Sequence, residues 1–155
     1  MANQAKSVID FLNAARAREL TAILTYLAQH YELEDQDFGK LAKIMKETGI
    51  VEMKHAEALG ERILFLGGTP VTTPDAAIPK GLSIPEMLAA DVALEEQAVR
   101  MYNEAAAFCA AAPDQVSKAL FEKLLAEEED HVDTFRKIGE HVAQLGDAYL
   151  ATLAG

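Results

Sequence analysis

EMKHAEAL, residues 52–59, sets Glu52 and His55 three positions apart, on one face of any helix the segment forms. The same Glu-x-x-His arrangement returns in EEEDHVD, residues 127–133, as Glu128 and His131. Each pair has a further glutamate 33 residues upstream of its own Glu, Glu19 and Glu95 respectively, so every member of the second set lies 76 positions after its counterpart. Tyr26 and Tyr102 keep the same offset. One Glu from each of two helices, plus Glu-x-x-His from each of two others, is how a four-helix bundle holds two iron or manganese ions.

Coincidence is a weak rival. Glutamate fills 16 of 155 positions, so a given histidine has roughly a one-in-ten chance of a Glu three residues before it. Two of the four histidines have one, each with the upstream Glu as well, a joint coincidence of roughly one in a thousand or rarer.

Length and composition narrow the reading. A chain of 155 residues predicts one domain, residues 1–155, large enough to bury a substantial core. Half the residues are hydrophobic, yet no apolar run approaches the ~20 residues of a membrane span. The start, MANQAKSVIDFLNAARAREL, mixes charges into every turn and lacks the apolar stretch of a signal peptide. The one cysteine, Cys109, has no partner for an internal disulfide and fits a reducing compartment, packing as a small hydrophobe. These features predict a cytoplasmic protein with no membrane contact. A net charge of −11 argues against nucleic acid, which needs a basic surface.

Inward positions recur at steps of three and four, as bundle helices require. From about residue 5 to 33 they are Ile9, Leu12, Ala15, Glu19, Ile23 and Tyr26; from about 38 to 66, Leu41, Met45, Thr48, Glu52, His55, Leu59, Ile63 and Leu66. The acidic turn Glu34-Asp35-Gln36-Asp37 is expected to cap this second helix. A third begins at Ser83-Ile84-Pro85-Glu86, a capping box with an early proline. Its stripe is Leu88, Asp91, Glu95, Ala98 and Tyr102, and it ends near Ala112. Pro113 and Asp114 start the fourth, with Phe121, Leu124, Glu128, His131, Phe135, Ile138, Val142 and Leu145 inward. After Gly146 a short fifth helix is expected over Tyr149 to Leu153.

Polar residues therefore occupy apolar slots, and pairing the helices explains why. An antiparallel hairpin turning near residue 35 puts Glu19 level with Glu52; one turning near Pro113 does the same for Glu95 and Glu128. All six side chains converge near mid-bundle, where four unpaired carboxylates would be very costly and multivalent cations remove the cost. Between the hairpins, GGTPVTTPDAAIPKGL (67–82) carries three prolines and three glycines. Its 16 residues can reach ~50 Å, against ~42 Å for a 28-residue helix, so the connection can run the length of the bundle.

RELTAI (18–23), EMKHAEAL (52–59), ERILFLGG (61–68), EMLAADVALE (86–95) and EEEDHVD (127–133) resemble the corresponding stretches of bacterioferritins. The resemblance runs over nearly the whole chain. It implies an all-α fold, a ferritin-like four-helix bundle with one long crossover and a short C-terminal helix. It implies that Glu19, Glu52, His55, Glu95, Glu128 and His131 form a dinuclear iron ferroxidase centre. It also implies a hollow homo-oligomeric shell of 24 subunits that stores ferric mineral, with a small redox donor for iron release.

Met53 is not explained by the repeat, which puts Glu129 at the equivalent position. It lies ~100° round the helix from Glu52, facing away from the bundle axis. In bacterioferritins the methionine of this EMKH-like run is an axial haem ligand shared between two subunits, so the resemblance implies haem as a second cofactor. Read on its own, a methionine such as Met53 is far more often an adaptable interface residue than a ligand; the motif around it is what favours haem.

Tyr26 and Tyr102 are expected to hydrogen-bond the ligand carboxylates, or else to fill the core as plain aromatics. His30 and His141 read as surface residues, and Glu96, Glu127 and Glu129 as solvated neighbours of the site, or as an acidic lining inside a shell. The chain also departs from the family. Gln36 and Thr134 stand where tryptophans often occur, and Glu47 and Val51 replace a His and an Asp that some members carry near the inner surface. The departures bear on an accessory inner-surface iron site and leave the six ligands intact.

Carboxylate and imidazole ligands suit Fe(II) and Mn(II) and leave positions open for O2 or H2O2. Two Fe(II) together can deliver two electrons. The repeat suggests that Glu19 and Glu95 are terminal ligands, that Glu52 and Glu128 bridge, and that each histidine caps one ion. The rivals are a rubrerythrin-like peroxidase, whose four rubredoxin cysteines are missing here; a DNA-protecting mini-ferritin, whose site lies between subunits; and a haem- and metal-binding shell with little turnover.

Overall fold

Helix α1, Val8–Asp35, opens on a capping box in which Ser7 and Asp10 exchange hydrogen bonds with each other's backbone N–H. The computed structural model describes residues 6–155; the sequence-based start near residue 5 falls outside them. The helices α2 (Gly39–Phe65), α3 (Ile84–Ala111), α4 (Gln115–Leu145) and α5 (Asp147–Thr152) follow. This is the ferritin-like bundle expected, with a short fifth helix.

The first turn is built otherwise than expected. Asp37 takes the left-handed conformation at φ 63°, so Phe38 N–H reaches Leu33 O at 2.9 Å and Asp37 N–H reaches Glu34 O at 3.1 Å. This pair of bonds ends α1 as a Schellman motif. The acidic side chains do not cap α2, whose N-cap is Phe38 with no side-chain hydrogen bond. The C-terminus does part of that work instead: Lys40 N–H donates to Leu153 O at 3.1 Å, satisfying one of the amide groups left open at a helix start. The end of α2 repeats the Schellman pattern with Gly67 at φ 83°, a conformation that glycine adopts without strain. Ser83 and Glu86 form the expected capping box on α3, and Asp114 caps α4 by accepting from Ser117 N–H.

Helices α1 and α2 pack along each other, as do α3 and α4, and the pairs join mainly through α1 and α3. Residues 66–83 form the crossover, which tracks α1 from start to end. Asn13 donates to Thr69 O, Arg16 Nε to Val71 O, Thr21 Oγ1 to Asp75 at 2.6 Å, and Glu32 accepts from Gly81 N–H. Arg18, largely buried, pairs with Asp75 at 3.1 Å. The crossover therefore returns the chain to the far end of the bundle before α3 begins, which makes α1 and α3 antiparallel.

Two apolar clusters result. One gathers Leu33, Leu41, Met45, Leu88, Phe135 and Leu153; the other gathers Leu12, Leu59, Ile63, Tyr102, Cys109, Phe121 and Leu124. Cys109 is buried, as its reading as a small hydrophobe required. Leu145 departs from the expected stripe: it is 56% exposed, because the inward face of α4 ends at Val142 and the chain turns at Gly146. Between the clusters lies a polar layer.

Candidate metal centre

That layer is the level at which the repeat predicted convergence. Glu19 comes from α1, Glu52 and His55 from α2, Glu95 from α3, and Glu128 and His131 from α4. All but His131 are essentially inaccessible, and the His131 side chain is 14% exposed. His55 Nδ1 lies 2.8 Å from Glu128 Oε1, 3.0 Å from Glu52 Oε2 and 3.3 Å from Glu19 Oε1. His131 Nδ1 lies 2.9 Å from Glu52 Oε1, 3.4 Å from Glu128 Oε2 and 3.7 Å from Glu95 Oε1. Glu52 and Glu128 thus each turn one oxygen to either histidine. Two four-residue groups share them: Glu19, Glu52, His55 and Glu128, and Glu52, Glu95, Glu128 and His131, the ligand atoms within each group all lying within 4.8 Å of one another.

The donors are short of partners. Both oxygens of Glu52, Glu128 Oε2 and His131 Nδ1 are buried without a hydrogen bond, a costly condition unless something else binds them. Burial, then the neighbouring Glu52 and Glu128 charges, hold the Glu19 carboxyl well above the usual range. Burial and then Glu128 do the same to Glu95. At Glu52 and Glu128 burial also pushes upward, but the groups beside them win and lower both: the two imidazoles at Glu52, and Glu95 followed by the two imidazoles at Glu128. His131, which burial would lower, is raised to about 12 by Glu128, Glu52 and Glu95; His55 is raised likewise, by Glu128 first. Burial and neighbouring charges thus strengthen proton binding at Glu19, Glu95 and both imidazoles and weaken it at Glu52 and Glu128. Stripped of those protons, four carboxylates and two neutral imidazoles carry a charge that two divalent cations cancel. The donor set fits such a pair.

The tyrosines act as expected of partners to the carboxylates, but across the repeat. Tyr26 donates to Glu95 and Tyr102 to Glu19.

Two further groups escaped the sequence reading. Glu127 is not merely solvated: its Oε2 lies 2.7 Å from His55 Nε2, the outer ring nitrogen. The available signal was its place one turn before His131 on α4. One turn before Glu95, Asp91 accepts from Gln29 Nε2 at 2.6 Å, while Asp91 Oδ2 and Gln29 Oε1 are buried without partners. Burial pushes Asp91 up to about 7 against the lowering effect of Gln29. Their repeat counterparts are Ala15 and Ala105, both buried. His30 is also no free surface residue, its Nδ1 lying 2.8 Å from Ala42 O. His141 is exposed and lies against Tyr149.

Met53 is 46% exposed on α2, as is Ile50 about one turn before it at 41%, while α1 exposes Leu24, Leu27 and Tyr31.

The family model of the ferritin-like domain matches residues 9–145. The bacterioferritin of Desulfovibrio desulfuricans is 42% identical over 148 residues, 96% of this chain and 83% of the relative. That of Rhodobacter capsulatus is 44% identical over 126 residues, 81% and 78% of the two chains. The X-ray structure of the D. desulfuricans protein, which describes its di-iron site in different catalytic states, superposes with a TM-score of 0.94 at 42% identity, covering 96% of this chain and 86% of that one. The R. capsulatus structure, with a metal-free dinuclear site and a haem iron in a crystallographic special position, gives 0.90 at 40% identity, covering 96% and 93%.

Proposed function

This chain belongs to the bacterioferritins, within the ferritin-like family, and stores iron; from that premise we propose that it oxidises the iron it stores, as a ferroxidase, at a dinuclear centre inside each subunit. The observation that carries the reading is the shared pair Glu52 and Glu128, each with one oxygen toward either histidine. Glu52 and Glu128 would serve both iron positions. Glu19 and His55 complete one, and Glu95 and His131 the other. Two Fe(II) held there would give up one electron each, reducing O2 to H2O2 or H2O2 to water with protons from solvent and leaving two Fe(III). The protein's part is to fix the donors and to hold them dry. Tyr102 and Tyr26 fix the terminal carboxylates, and the apolar clusters above and below exclude water.

Met53 supplies a thioether on an exposed apolar face, the kind of donor and surface that a haem shared across a two-fold axis requires. The same face buries its leucines and isoleucine when subunits pair, and pairs build the 24-subunit homo-oligomeric shell that encloses ferric mineral. A small redox donor returns electrons for release. Residues 1–155 act as one ferritin-like di-iron domain. Among the described residues no helix is long and apolar enough to cross a membrane, and we place the shell in the cytoplasm.

Aerobic addition of Fe(II) to metal-free protein, with absorbance and O2 uptake followed at defined iron per subunit, tests the reading. A rapid phase that saturates at two Fe(II) per subunit is expected. Oxidation no faster than in protein-free buffer would overturn it.

A further inference from the structure

We propose that Glu127 is a positioning residue for His55 that makes the two metal positions unequal, the Glu19/His55 position binding the tighter ion. The inference rests on the dinuclear reading above.

The 76-residue repeat makes the ligands equivalent but not their surroundings. His55 has its inner nitrogen, Nδ1, among Glu19, Glu52 and Glu128, and its outer nitrogen, Nε2, 2.7 Å from Glu127 Oε2. A carboxylate oxygen accepts, so Nε2 carries the proton and donates it. That bond fixes the ring's orientation, so that once a metal ion displaces the proton on Nδ1 the lone pair there faces the site. A carboxylate on the far nitrogen of a ligating histidine also raises the basicity of the near one, and loss of such a partner typically costs about 10–100-fold in metal affinity.

His131 has no such partner. The position that the repeat makes equivalent to Glu127 is Val51, four residues before His55 as Glu127 is four before His131. A valine offers no acceptor. Among the described residues nothing hydrogen-bonds His131 Nε2, and this ring is the more exposed of the two. Glu127 crosses from α4 to α2, so its work is done for the histidine of the other half. Its own side chain is 43% exposed, which makes it replaceable without disturbing the core.

Co(II) titration of the metal-free full-length protein, read by visible absorption and by calorimetry, tests this directly. Wild type should bind two Co(II) per subunit in steps of unequal affinity, and His55→Ala should remove the tighter one. Glu127→Gln, of the same size but uncharged, should weaken the tighter step about tenfold or more and leave the other unchanged. The effect should vanish in the His55→Ala background, as expected when two residues act as one unit. Val51→Glu, which supplies the missing carboxylate on the other side, should strengthen the weaker step alone. If Glu127→Gln weakens both steps alike, weakens neither, or acts equally without His55, the positioning role is overturned while the dinuclear reading stands. Fewer than two Co(II) per wild-type subunit would overturn both.

Discussion

The Tyr102 hydroxyl on α3 donates to the Glu19 carboxylate on α1, joining the second half of the repeat to the first. Tyr26 returns the bond to Glu95. Each half's tyrosine thus holds the other half's terminal carboxylate, and the bonds form only when the two hairpins dock. A buried phenol lost from a charged acceptor leaves that acceptor under-satisfied. Tyr102→Phe should therefore lower metal affinity at the Glu19/His55 position about tenfold, measured as a shift of one Co(II) binding step. Unchanged affinity in both steps would make the tyrosine plain core packing.

Replacing a ligand should separate stability from activity. Glu95→Gln and His131→Ala should abolish the rapid oxidation of the first two Fe(II) per subunit while leaving the helical circular dichroism intact. Burial and Glu128 push the Glu95 carboxyl well above its usual range, so an uncharged amide in its place should keep or slightly raise the thermal midpoint of the metal-free protein. Metal should distinguish the variant from wild type. At a hundredfold excess over its Kd a bound ion adds about 2.7 kcal/mol, roughly 5–10 °C for a chain of this size. Wild type should show that rise with Co(II), and Glu95→Gln most of its loss. Wild-type oxidation kinetics in either variant would refute the dinuclear centre.

The repeat was legible because ligand types at fixed offsets survive in one dimension: Glu19, Glu52, His55 and their counterparts each occupy an inward slot that period 3.6 reveals. Helix ends with local caps, Ser83–Glu86 and Asp114, were legible for the same reason. What was missed depends on contacts that no local pattern encodes. Leu153 caps α2 from more than a hundred residues away. Glu127 lies off the inward stripe and reaches His55 only because its long side chain spans the α2–α4 gap. Asp91 stood in the inward stripe, but its partner Gln29 is on another helix. Asp37, read as a capping side chain, is instead in the left-handed conformation of a Schellman turn, a slot where Asp and Asn are tolerated next after Gly.

Asp91 predicts a pH signature of its own. Its value is 3.8 when unperturbed and about 7 in the folded chain. Between those values the folded form keeps a proton that the unfolded form has released, so its contribution is fully present below about pH 4 and is lost as pH rises to 7. Asn in its place has no charge to bury, and its amide can both accept from Gln29 and donate to Gln29 Oε1. Asp91→Asn should match wild type near pH 4 and exceed it by up to a few kcal/mol above pH 7, read from denaturant midpoints across that range. A constant difference at all pH values would remove Asp91 from the titrating groups.

Met53 allows the haem and iron chemistries to be taken apart, because its side chain is exposed whereas the Glu/His cluster is buried. Met53 is exposed beside Ile50, whereas Glu52, its neighbour in sequence, is fully buried. If two copies ligate one haem across a subunit interface, the protein should bind one haem per two subunits with the spectrum of bis-methionine ligation. Met53→Ala should then lose the haem and retain wild-type uptake of Fe(II), since no atom of the cluster depends on the thioether. Met53→His should keep haem at a shifted potential, because axial ligand identity is a main control of it. Haem binding that persists unaltered in Met53→Ala would reduce the methionine to interface packing and leave the ferroxidase reading untouched.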